Sequence, residues 1–136
     1  MATVQVTKDT IETLIRDNPL VVLDFWAAWC APCRAFAPVF ERASNDHKDF
    51  VFGKIDTEAE REIAGYFNIT SIPTLVVFRD GIGVYSEAGA MPARALEDVL
   101  AATRKLDMDA VRAEIARREK EGDGEGEPWE LREDDE

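Results

Sequence analysis

The sequence predicts an α/β domain in which a central mixed five-stranded β-sheet carries helices on both faces. Three observations carry that expectation. Strand-like and helix-like segments alternate through residue 67, the pattern of parallel strands joined by crossover helices. A Gly-containing turn then separates two further strand-like runs, which implies an antiparallel edge. An amphipathic segment follows and closes the core. With 136 residues, 46% of them hydrophobic, the chain suffices for one ordinary core and is short for two.

Each element has its own reason. "TVQV" (3–6) is a short β-branched run, and Thr7 is expected to cap a helix over "KDTIETLIRD", where Ile11, Leu14 and Ile15 share one face. Asn18-Pro19 ends that helix. "LVVLDFW" (20–26) is a continuous apolar run broken only by Asp24, the signature of a strand covered on both faces. "RAFAPVFERASNDH" (34–47) places Phe36, Val39, Phe40 and Ala43 on one helical stripe, with Pro38 inside it expected to bend the helix near Arg34. "FVFGKID" (50–56) reads as a second buried strand and "EAEREIAGYF" (58–67) as its helix, with Tyr66, Phe67 and Phe78 expected in the core. "TLVVFRD", a turn, and "VYSEAG" make the hairpin. "PARALEDVLAATRKL" (92–106) is the closing helix, with Pro92 in its first turn and Ala95, Leu96, Val99 and Leu100 inward.

Domain boundaries follow. Residues 1–106 form the compact unit, 107–121 an extra, loosely docked helix capped by Asp107 with Met108, Val111 and Ile115 as a thin apolar stripe, and 122–136 an acidic tail of disordered composition. The formal net charge is −12, of which −8 falls in residues 119–136, where ten acids face two bases. Such a surface argues against nucleic-acid and anionic-membrane partners. No apolar run approaches the roughly 20 residues that span a bilayer, and the opening "MATVQVTKDTIETL" lacks the basic and apolar regions of an export signal. The expectation is a soluble, cytoplasmic protein.

In that compartment two cysteines are reactive or metal-bound rather than a structural staple. A closed metal site needs four ligands, and beyond Cys30, Cys33 and the sole histidine, His47, expected at a surface helix end, the chain offers no second pair, so no metal is expected unless two chains share one. Redox chemistry fits better. Cys30 stands where "LVVLDFW" gives way to the next helix, beside free backbone N–H groups and the positive end of the helix dipole, which favours thiolate. Cys33, one turn later, is placed to displace a mixed disulfide and close a small ring. Asp24 reads either as a polar residue near a strand end or as a desolvated acid, raised in pKa, that moves protons to and from Cys33. Lys54 is either its counter-charge or a surface lysine.

The segment "DFWAAWCAPC" (24–33) resembles the active-site segment of the thioredoxin family, and the resemblance continues through "RAFAP", "GKID", "SIPT", "RDG" and "EAG" in family order, over residues 3 to about 106. It implies the thioredoxin fold and a protein thiol–disulfide oxidoreductase that reduces protein disulfides and is itself re-reduced by a reductase. By the same resemblance Cys30 is the nucleophile, Cys33 the resolving thiol, Asp24 and Lys54 the proton-handling pair, and Pro73 a cis-proline. The backbone of Ile72 would pair with an extended substrate, Trp29, Ala31, Pro32, Ile72, Gly89 and Ala90 would form the contact surface with Pro73, and Trp26 would pack beneath. No bound cofactor is implied; the redox group is the Cys30–Cys33 disulfide, and the protein would act as a monomer. Two departures stand on the contact face: Ala31 where the family has glycine, and Ser71 where many members do. The proline of "CAPC" favours a reductant, since disulfide-forming relatives tend to carry histidine there. An alternative reading is a binding or chaperone-type module on the same fold, regulated by a tail whose Trp129 and Leu131 are apolar anchors.

Overall fold

The computed structural model describes residues 2–121. Five strands, β1 (Thr3–Gln5), β2 (Leu20–Trp26), β3 (Val51–Asp56), β4 (Thr74–Arg79) and β5 (Ile82–Ala88), form one sheet in the order β1-β3-β2-β4-β5. β1, β3 and β2 run parallel, while β4 is antiparallel to β2 and β5 to β4. The helices are α1 (Ile11–Asp17), α2 (Ala31–Asp46), α3 (Arg61–Tyr66), α4 (Ala93–Arg104) and α5 (Met108–Lys120). The expected mixed sheet, with helices on both faces, is present.

Side chains alternate across a strand, so each central strand feeds two cores. On one face Val22, Phe52, Leu75 and Val77 meet Phe36 and Phe40 of α2 and Leu96 and Leu100 of α4. On the other Val21, Leu23, Phe25, Ile55, Val76 and Phe78 meet Ile63 of α3, with α1 packed alongside through Ile11, Leu14 and Ile15. The same alternation puts Asp24 on the Val22 side, the side covered by α2. Lys54, which pairs with Asp24 in register, shares the Phe52 side. At Gly53 a Cβ would lie 2.6 Å from Val6 Cγ2 and 2.9 Å from Leu23 Cδ2, so the absence of a side chain is what lets β1 and β2 close on β3.

Several boundaries differ from the sequence-based expectation. α1 starts one turn late, because Thr10 and Ile11 donate their N–H groups to the Thr7 carbonyl and Thr10 Oγ1 turns back to accept from the Thr7 N–H. α3 is shorter, since Asp56 Oδ1 accepts from the N–H of Glu58 at 2.9 Å and folds residues 57–59 into a separate turn. Tyr66, on that short helix, is 81% exposed and meets the Phe67 ring edge-on, so it is not a core residue; Phe67 is half-buried and Phe78 buried, as expected. Pro92 is the N-cap of α4 rather than a residue of its first turn.

α2 runs unbroken through Pro38. The hairpin turn uses Asp80 and Gly81, both at positive φ (54° and 81°), the geometry that suits the twist of the flanking strands. His47 is no free surface residue. Its Nε2 lies 2.8 Å from Glu97 Oε1 and its Nδ1 accepts from Arg104 at 2.8 Å, which ties the end of α2 to α4. Arg79 Nη1 reaches back to the carbonyls of Thr103 (2.8 Å), Arg104 and Leu106 (both 3.2 Å) and so satisfies the end of α4.

Asp107 caps α5 by accepting from the Ala110 N–H at 3.2 Å, and Met108 is the buried residue of that helix. Arg112 pairs with Asp80 of the hairpin turn at 3.3 Å. No helix among the described residues is long and apolar enough to cross a membrane. The acidic tail of residues 122–136, with Trp129 and Leu131, lies outside the described residues.

Candidate active site

The site is built where β2 stops and α2 starts. β2 delivers the chain to Ala27, which is buried, and the Cys30 N–H donates to the Ala27 carbonyl at 3.2 Å, folding residues 27–30 into a tight turn. Cys30 then occupies the N-cap of α2 with an extended backbone (φ −87°, ψ 111°), and its sulfur accepts the N–H of Cys33 at 3.1 Å. A sulfur in that place takes over the role of a capping oxygen: it meets a first-turn donor that has no partner within the helix, at the positive end of a 16-residue dipole. Pro32 fits the first turn because it has no N–H to satisfy.

Cys30 and Cys33 are joined as a disulfide with their Cα atoms 5.2 Å apart. Both are 3% exposed and share a small apolar cluster with Ala27, Trp26 and Ile72. The Cys30 sulfur lies 3.7 Å from the Ile72 carbonyl oxygen. That carbonyl belongs to the cis Ile72–Pro73 bond, and the Pro73 carbonyl in turn accepts the Gly89 N–H at 2.7 Å. Gly89, at φ 105°, can take this left-handed turn because it has no Cβ.

Within β2, Asp24 is 1% exposed and its Oδ1 finds no hydrogen-bond partner among the described residues. Burial pushes its pKa up to about 7, with Lys54 across the ladder pulling the other way. Lys54 is not simply a surface lysine, since its Nζ stands 4.9 Å over the centre of the Trp26 ring. Arg34 Nη1 donates to the Ala28 carbonyl at 2.8 Å.

A groove of about 480 Å³ opens beside Cys30. Trp29, Ala31, Pro32 and Ile72 line it, four residues that the sequence placed on the contact surface. Ser71, one of the two departures, also borders it. Gly89 and Ala90 stand outside this lining, with the Gly89 N–H bonded to the Pro73 carbonyl. Sequence reasoning missed the rest of the wall, Thr57, Ala64, Ile69 and Thr70, which comes from the turn after β3 and from α3 and the loop after it. One signal was present: Ile69 is an isolated apolar residue in the polar stretch "NITS". Among the described residues no group of three or more His, Cys, Asp or Glu side chains is placed to hold a metal ion.

The sequence model of the thioredoxin family matches residues 2–102. The chain belongs to the thioredoxin family. It is 49% identical over 115 residues to a Streptomyces coelicolor protein provisionally named thioredoxin 2, covering 85% of this chain and 86% of that one. A thioredoxin of Alicyclobacillus acidocaldarius is 40% identical over 101 residues, 74% of this chain and 96% of its own. Among solved structures, Plasmodium falciparum thioredoxin superposes with a TM-score of 0.69 at 33% identity, over 74% of this chain and 97% of that one. This thioredoxin-family protein is a thiol–disulfide oxidoreductase and carries the Cys30–Cys33 pair; thioredoxins use a redox-active disulfide without a bound cofactor. The family generally acts on protein disulfides and is reduced by thioredoxin reductase.

Proposed function

We propose that this thioredoxin is a cytoplasmic, monomeric reductant of protein disulfides that works through residues 1–106, with α5 as an appendage tied on by Arg112. The observation that carries the reading is the capping of α2 by the Cys30 sulfur, which accepts the Cys33 N–H at 3.1 Å. A first-turn donor and a helix dipole stabilise negative charge on that sulfur, so Cys30 is the nucleophile of the reduced protein.

The electrons balance in two steps. Cys30 thiolate attacks one sulfur of a substrate disulfide; the substrate S–S bond breaks, and the other substrate sulfur leaves as a thiolate that takes a proton from water. Cys33 then gives its proton to Asp24 and attacks the Cys30 sulfur. The mixed disulfide breaks, Cys30–Cys33 forms, and the second substrate sulfur leaves as a thiolate that takes up the proton returned by Asp24, with two electrons transferred to the substrate. An acid whose pKa lies near 7 can both take and return a proton at neutral pH, which suits Asp24 to this exchange, with Lys54 as its counter-charge. A reductase-type donor restores the dithiol. The flat face around Pro73, with Trp29, Ala31, Pro32, Ile72, Gly89 and Ala90, receives an extended substrate segment.

The direction of the reaction follows from the same charges. A buried carboxylate on the α2 side opposes a second negative charge on Cys33, so the dithiol form gains little and the couple lies at the reducing end of the range. Equilibration of the Cys30–Cys33 couple in dithiothreitol or glutathione buffers tests this. A potential near about −270 mV is expected, and one between about −120 and −180 mV would make the protein an oxidant or isomerase instead.

A further inference from the structure

Trp29 is 68% exposed, the large exposed apolar side chain beside the disulfide, and it forms one wall of the groove next to Cys30. An exposed indole without a partner samples its rotamers freely, and substrate binding would then have to order it. Here the indole has a partner. Its Nε1–H donates to Glu58 Oε2 at 3.3 Å, across 29 positions of sequence.

Glu58 is itself held from two sides. Asp56 Oδ1 accepts the Glu58 N–H at 2.9 Å, and Thr57, the next residue along that turn, gives its N–H to the Trp26 carbonyl at 2.9 Å. The carboxylate is therefore presented from a turn that is anchored to the end of β2, the same strand end that leads to Trp29. Its second oxygen, Oε1, lies 3.8 Å from Arg61 Nη2. Such an exposed ion pair adds little energy, but it narrows the rotamers open to the carboxylate.

We propose that Glu58 is a positioning residue that latches the Trp29 indole and so presets the wall of the substrate groove before a protein disulfide arrives. The inference rests on the reductant reading above, and it concerns access to Cys30 rather than the chemistry at sulfur. Glu58 touches none of the reacting atoms. Its effect is confined to substrates large enough to fill the groove, because a small disulfide can reach the sulfur without using the Trp29 wall.

Two substitutions separate the possibilities. Glu58→Ala removes the acceptor, whereas Glu58→Gln keeps an acceptor oxygen for the indole and loses only the ion pair with Arg61. With dithiothreitol as reductant, Glu58→Ala is expected to raise KM for insulin about two- to tenfold, the range set by ordering one side chain, with a much smaller change in kcat. The rate with dithiobis-nitrobenzoate, a small disulfide, stays as in the unmodified protein, and Glu58→Gln recovers most of the insulin KM.

In parallel, the indole N–H resonance of Trp29 in the nitrogen-15-labelled full chain should move in Glu58→Ala and return toward its place in Glu58→Gln. An unchanged insulin KM in Glu58→Ala, equal losses on both substrates, a Gln variant as impaired as Ala, or an unmoved indole resonance would each overturn the latch. If the unmodified protein reduced neither disulfide, the reductant reading would fall by itself, and the resonance would still decide whether Glu58 holds Trp29.

Discussion

Replacing Cys30 with serine is expected to lower dithiothreitol-driven insulin reduction by about a thousandfold or more, to the rate of dithiothreitol alone. The serine hydroxyl can take the N-cap position and accept the Cys33 N–H, so the local fold survives. It stays protonated at neutral pH and cannot form the S–S bond through which two electrons leave. The lost disulfide closes a loop with a sequence separation of only 3, so its contribution to stability is at the small end of the range for such bonds. A thermal melt of the same sample therefore separates lost chemistry from lost structure. Retention of the insulin activity by a folded Cys30→Ser variant would remove Cys30 from the nucleophile's place.

The second large effect is on stability and comes from Asp24. Its pKa is raised from 3.8 to about 7, chiefly by burial, so the folded state holds a proton that the unfolded chain has already released over that interval. Stability therefore falls as pH rises from about 4 to 7 and is level above it. At about 1.4 kcal/mol per pH unit the ionised form costs roughly 4 kcal/mol of folding free energy.

Asp24→Asn removes the charge and keeps the shape. The oxidised variant should match the parent near pH 4, exceed it by about 4 kcal/mol at pH 8, and melt about 15 °C higher there. Denaturant melts of both proteins at the two pH values check the sign. Equal stabilities at pH 8, or a parent whose stability rises between pH 4 and 7, would contradict the burial of an ionised Asp24. The reading also carries a functional cost for the variant, since the amide can neither take nor return the Cys33 proton.

The features that sequence revealed are those fixed by local pattern. β2 and β4 are buried on both faces, so their apolar runs stand out, and the burial of Asp24 follows from the run that contains it. Cys30 at a strand-to-helix junction is equally local. Helix starts were less legible, because side chains outside the helix compete for its first donors. Thr10 Oγ1 bonding back to Thr7 delays α1, and Asp56 bonding to Glu58 shortens α3. Tyr66 reads as core by type, yet the short α3 turns it to solvent at 81% exposure.

Contacts between distant segments were not legible at all. Ala64, Ile69 and Thr70 reach the groove only once α3 has packed on the sheet, and no spacing rule connects Glu58 with Trp29. His47 likewise looks like a free helix end until α4 brings Glu97 and Arg104 to it. The cis state of the Ile72–Pro73 bond came from family resemblance and not from the residues themselves, since most X-Pro bonds are trans.

The division of labour between the two sulfurs is tested most directly by trapping. Reduced Cys33→Ser protein would be mixed with insulin without dithiothreitol, quenched with acid, digested and analysed by mass spectrometry. A long-lived mixed disulfide in which insulin is joined to Cys30 is expected, because the resolving sulfur is gone. No adduct at Cys30, or an adduct released as fast as in the unmodified protein, would contradict attack by Cys30 followed by resolution by Cys33.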